Sequence, residues 1–169
     1  MNFSLRTKLI FAFGLLVVVS VLNSGFLWLT EKNAAEQQFW VMHTHQVISG
    51  SDNLLGHLRD AETGQRGFLL TRRIEYLEPY NNGVSASKSD IDALGKLIQD
   101  NPLQQSRLGV ISTAVNNKLS ELNETIQLAQ QGEWEKALAI VRGGEGKEIM
   151  GDLRGHLAQF KTEEEFLLE

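Results

Sequence analysis

Between Leu9 and Leu29 the chain carries no charged residue, reading L-I-F-A-F-G-L-L-V-V-V-S-V-L-N-S-G-F-L-W-L. No other stretch restricts the fold as strongly. As a helix rising 1.5 Å per residue it is roughly 31 Å long, sufficient to cross the hydrocarbon core of a bilayer. Arg6 and Lys8 precede it and Glu31 follows. Basic residues on that flank place the N-terminus in the cytoplasm and the rest of the chain outside. Trp28 stands where an interfacial aromatic belongs. A cleaved signal peptide is the rival reading, but the run is longer than a signal core and no A-x-A site follows it. The sequence therefore divides into a cytoplasmic stub (1–8), a membrane helix (9–29) and an extracytoplasmic domain (30–169). Ser20, Asn23 and Ser24 could hydrogen-bond to a partner span, though such residues also sit in lone spans.

After the span the apolar residues recur at threes and fours, the spacing of helices that share a core. Trp40, Val47, Leu54, Leu58, Ala61 and Phe68 mark one face of a first helix that runs from the span to about Leu70. Tyr76, Leu77, Tyr80, Val84, Ile91, Leu94 and Ile98 mark a second, from Ile74 to Gln99, with Pro79 in or near its first turn, where proline is tolerated. Asp100-Asn101-Pro102 is a strong boundary: asparagine caps and proline fits the first helical position. Leu108, Val115, Leu119, Leu122, Ile126 and Ala129 mark a third helix to about Gln131, and Gly132 stops it. A short helix over 133–141 turns Trp134, Ala137, Leu138 and Val141 inward. Gly143-Gly144-Glu145-Gly146 reads as a loop. A fourth long helix from Lys147 carries Ile149, Leu153, Leu157, Phe160 and Leu167, and Glu163-Glu164-Glu165 reads as its solvated face. The predicted fold is all-α: an up-down-up-down four-helix bundle, its first helix continuous with the transmembrane helix.

The densest chemistry lies in Asp60–Leu70, D-A-E-T-G-Q-R-G-F-L-L, followed by Glu75–Tyr80, E-Y-L-E-P-Y. Glu62 and Arg66 face each other at a spacing of four. Gly64 and Gly67 cost about 1 kcal/mol each in helix propensity, a cost that usually accompanies close approach to a neighbour. These two runs resemble the signature of the third class of CHASE domains (cyclase/histidine kinase-associated sensory extracellular), D-x-E-T-G-Q-R-G-aromatic-L-L followed by Y-L-x-P-Y. The likeness spans about residues 31–169. It implies a helical sensor module lying between two membrane spans of a histidine kinase, chemoreceptor or cyclase, signalling as a homodimer. One departure stands out: the family usually has Gly-Asp or Gly-Glu after the threonine, where this chain has Arg72-Arg73.

The candidate ligand or interface residues are Asp60, Glu62, Thr63, Gly64, Gln65, Arg66, Gly67, Tyr76 and Tyr80. For Glu62–Arg66 two readings stand: an ion pair that fixes helix geometry, or a polar spot that a ligand or partner helix contacts, with Thr63 and Gln65 as hydrogen-bonding neighbours. Tyr76 and Tyr80 are either half-buried aromatics or the lining of a cleft.

The 169 residues carry a net charge of −5, which argues against a nucleic-acid surface, and no cysteine, so no disulfide is needed. His43 and His45 point apart on a helix, and His57 and His156 are isolated, which argues against a metal site. No haem-ligand motif, nucleotide loop or catalytic constellation is present, and His156 lacks the residues that surround a kinase phospho-acceptor. The expectation is a non-enzymatic sensor region without cofactor or metal, in the inner membrane. Its expected partners are the lipid bilayer, a second copy of itself, and an unknown small molecule or periplasmic protein. A membrane-tethered scaffold and a haem or metal carrier are the rival classes. Because no second apolar run follows, the chain reads as the sensor part of a longer receptor, with a standalone tethered module as the alternative.

Overall fold

The computed structural model describes residues 4–166, with the backbone alone for residues 29–36. The elements are α1 (Leu5–Thr71), α2 (Glu78–Leu97), α3 (Pro102–Gln130), α4 (Trp134–Gly143) and α5 (Glu145–Phe166). The described residues are helical with no strand among them, so the all-α reading holds. Leu167, assigned to the stripe of the last helix, lies outside the described residues.

The chain divides into two units, Met1–Met42 and His43–Glu169. In the first, Leu5–Trp28 is long and apolar enough to cross a membrane. Its large side chains are bare, with Leu9, Phe13 and Phe26 all more than 60% exposed. In water that much apolar surface would be strongly unfavourable, whereas acyl chains would cover it. Trp40, placed by its spacing on the buried face of the first helix, is 44% exposed, and nearby Met42 is 56% exposed. The bundle core begins at Val47, so these two precede it.

In the second unit, Val47, Leu54, Leu58 and Ala61 of α1 pack with Leu94, Leu108, Ile111, Val115, Leu122, Met150, Leu153, Leu157 and Phe160 in one apolar core. A smaller core holds Phe68, Leu69, Leu77, Ile126, Ala129 and Ala137. Contacts fix the directions of the helices. Gly50 lies against Leu94 and Gly64 against Tyr80, so α1 and α2 run antiparallel. Gln104 reaches Glu164 and Lys118 reaches Gly146, so α3 and α5 do too.

Three boundaries show local chemistry at work. The second helix opens as a 3-10 turn over Ile74–Leu77 before α2 begins at Glu78, a later start than the spacing suggests. Asn101 caps α3, its Oδ1 accepting from the Gln104 N–H at 3.1 Å, and Pro102 fills the first position. The expected Gly143–Gly146 loop contracts to one residue: Gly144 caps α4 in the left-handed conformation (φ +86°), and α5 starts at Glu145. A single left-handed glycine satisfies the end of one helix and redirects the chain into the next.

Candidate functional site

The turn after α1 explains the glycines of the signature. A Cβ on Gly64 would stand 2.6 Å from the Tyr80 backbone nitrogen and 2.9 Å from the Tyr76 carbonyl oxygen. One on Gly67 would stand 2.7 Å from the Tyr76 ring. On the facing helix, a Cβ on Gly83 would overlap the His57 carbonyl oxygen and lie 2.9 Å from the Ala61 nitrogen. Backbone thus meets backbone along the α1–α2 hairpin, a separation only glycine allows. Tyr76 sits over Gly67 at the surface, 42% exposed. Tyr80 turns inward against both apolar cores, and burial raises its phenol above the ordinary value, keeping it neutral.

Where the chain departs from the family signature, Arg72 is the one non-glycine with positive φ among the described residues, at +61°. The helix end therefore keeps the left-handed geometry that a glycine would adopt freely. The Arg72 guanidinium lies 4.9 Å from the centre of the Trp134 ring, which in turn packs on Phe68 at 5.5 Å. That stacking offsets part of the backbone cost.

Between the two apolar cores lies a polar layer. Lys118 of α3 is 1% exposed, and its ammonium donates to Glu62 Oε1 (3.1 Å), Glu121 Oε2 (2.9 Å) and the Gly146 carbonyl (3.3 Å). Three donors thus meet three acceptors, from α1, α3 and the first turn of α5. Glu62 also accepts from Arg66 at 3.0 Å, so its carboxylate joins an exposed arginine to a buried lysine. Below it, Gln65 Nε2 donates to Thr125 Oγ1 at 2.7 Å, and Thr125 donates to the Leu122 carbonyl at 2.8 Å. A buried, hydrogen-bonded layer of this kind favours one axial register of its helices, because a slip would strand charges in an apolar interior.

Of the nine candidates, Glu62, Gln65 and Arg66 come together here. Gly64, Gly67, Tyr76 and Tyr80 build the adjoining hairpin. Thr63 faces solvent and its hydroxyl donates to the Arg59 carbonyl at 2.8 Å. Asp60 lies apart on a surface groove that also includes His57, Glu78 and Asn82. His57 Nδ1 is 2.7 Å from Asp90 Oδ2. Lys118, Glu121 and Thr125 were missed from sequence. The signal was present: Lys118 and Thr125 stand beside Leu119 and Ile126 on the buried stripe of α3, where a polar residue needs a partner.

A second buried polar cluster corrects the reading of Glu163–Glu165 as solvated. Glu164 is 2% exposed. Its Oε1 accepts from Gln104 Nε2 at 2.7 Å, and its backbone carbonyl accepts from Thr44 Oγ1 at 3.4 Å. Gln104 Nε2 also donates to the Phe160 carbonyl at 3.0 Å, and His43 Nε2 is 2.9 Å from the Leu97 carbonyl oxygen. Glu163 remains outside, paired with Arg107 at 2.9 Å. Glu164 falls four residues after Phe160, on the core face, which is why it is drawn in.

The second unit is an all-helical bundle with a glycine-packed hairpin and buried polar layers. Residues 37–169 match the CHASE3 domain, and the chain belongs to that family. Its fold is similar to the crystal structure of the Rhodopseudomonas palustris histidine kinase HK9 sensor domain, with a TM-score of 0.69 and 22% identity, covering 73% of this chain and 97% of that one. At that identity the likeness is one of fold. No curated protein matches the chain.

Proposed function

We propose that the chain is the extracytoplasmic sensory region of a membrane signal-transduction receptor, a sensor histidine kinase being the simplest case, with residues 30–169 outside the inner membrane. The observation that carries this reading is the CHASE3 match over residues 37–169 directly behind the apolar segment Leu5–Trp28. The domain has no catalytic role of its own. It pairs with a second copy, and a small molecule or periplasmic protein favours one packing of the bundle over another. Such a ligand acts only through a difference in affinity for the two packings. The output is a small slide or rotation of α1 and α5. Register-fixing layers at Lys118 and Glu164 suit this role, because they make packings discrete rather than graded.

The absence of cysteine makes the location directly testable. Asn123→Cys, at an exposed position of α3, is expected to react with a membrane-impermeant maleimide in spheroplasts, and Ser4→Cys only after lysis. Protection of Asn123→Cys until lysis removes the proposal. Coupling is tested separately by inserting four glycines after Lys32 in a fusion to a histidine kinase output region. The bundle should fold and the response disappear, and an unchanged response contradicts transmission through α1.

A further inference from the structure

The short helix α4 is joined to the rest of the bundle through two left-handed glycines. Gly132 (φ +85°) follows α3 and Gly144 (φ +86°) follows α4, and a Cβ on either would meet nothing within 4 Å. Both joins place a glycine in a backbone conformation that it adopts without strain, with open space around it, and each is closed by backbone hydrogen bonds alone. Between them α4 buries one side chain completely, Ala137, and half-buries Trp134, Leu138 and Val141 over the smaller core. Its ion pairs stay local: Lys136 with Glu133 and Arg142 with Glu135. Among the described residues no side-chain hydrogen bond or ion pair joins α4 to α1, α2, α3 or α5. Apolar contact, with Arg72 and Phe68 against Trp134, is what holds it down.

The layer beneath is bonded in the opposite manner. Glu62 and Gln65 tie α1 to Lys118 and Thr125 of α3, and Lys118 holds the first turn of α5 through Gly146. None of these bonds involves α4. The ends of the long helices remain joined to one another whether or not α4 is in place.

We propose that α4 is a lid, hinged at Gly132 and Gly144, that lifts from the smaller core while the four long helices stay folded. Opening uncovers Phe68, Leu69, Leu77, Ile126 and Ala129, a patch next to the Gln65–Thr125 pair. The claim is independent of the sensory reading, since it concerns the stability of one element within the fold.

Hydrogen exchange on the whole chain in nanodiscs, read by peptide mass spectrometry, tests it. Amides of α4 are expected to exchange roughly 100-fold or more faster than those of α3 between Leu108 and Leu122, and with little dependence on denaturant, as local opening requires. Trp134→Ala, which removes the Phe68 and Arg72 contacts, should speed α4 about tenfold further and leave the α3 rates unchanged. Exchange of α4 and α3 at a common rate and with a common denaturant dependence in the unmutated chain overturns the proposal. So does a Trp134→Ala acceleration spread equally over both helices.

Discussion

Lys118→Met is expected to lower the stability of the bundle by about 3–5 kcal/mol, the range for breaking a buried ion pair by removing one partner. Methionine fills the stem of the lysine but brings no donors. Glu62 and Glu121 are then left facing each other across a space where both carboxylates are largely sheltered from water, at 15% and 9% side-chain exposure. Glu62 keeps Arg66, but that guanidinium is 56% exposed and too well solvated to replace a buried ammonium. The Gly146 carbonyl also loses its side-chain donor, and with it the bond that ties the first turn of α5 to α3. Urea unfolding followed by circular dichroism gives the number directly. A second variant separates charge from shape: adding Glu121→Gln to Lys118→Met removes one of the stranded charges and should recover part of the loss. If Lys118→Met costs less than about 1 kcal/mol, the layer does not hold the helices in register as described.

The helical frame was legible in the sequence because its signals are local. The stripe from Leu108 to Ala129 keeps one period over the whole of α3. Asn101-Pro102 states its own boundary by a side-chain cap and a ring that needs no donor. Glycine pairs in the signature announced close approach, and the structure supplies the neighbours, Tyr76 and Tyr80. What could not be read is what depends on pairing across the bundle. Glu62 and Arg66 were visible as a spacing-of-four pair, but the stronger partner, Lys118, stands 56 residues away. Glu164 looked like one of three equivalent glutamates until Gln104, 60 residues earlier, was found at 2.7 Å. The glycine-rich run at 143–146 misled in the other direction. Gly143 and Gly146 are helical, and only Gly144 has the left-handed backbone that makes a turn.

Alanine at Gly83 and alanine at Gly109 are expected to act with opposite signs, although both glycines are helical. At an open position the substitution removes backbone entropy from the unfolded chain and adds helix propensity, a gain of about 0.5–1 kcal/mol. Gly109 of α3 is such a position, since an added methyl meets nothing within 4 Å. At Gly83 the same methyl would overlap the His57 carbonyl oxygen and press on the Ala61 nitrogen, and both are backbone atoms of α1. Backbone cannot rotate aside as a side-chain tip can. To relieve the contact α2 must move away from α1, and the buried residues Leu94 and Leu58 lose part of their packing as the hairpin spreads. Overpacking of this kind costs typically 1–3 kcal/mol. With the hairpin backbone involved, the net loss at Gly83 should lie near the upper limit, about 3 kcal/mol. Thermal or urea unfolding of the two single variants decides the matter. Equal shifts at Gly83 and Gly109 would mean that the two helices are not in backbone contact. The glycines of the hairpin would then have to be explained by something other than the closeness of α1 and α2.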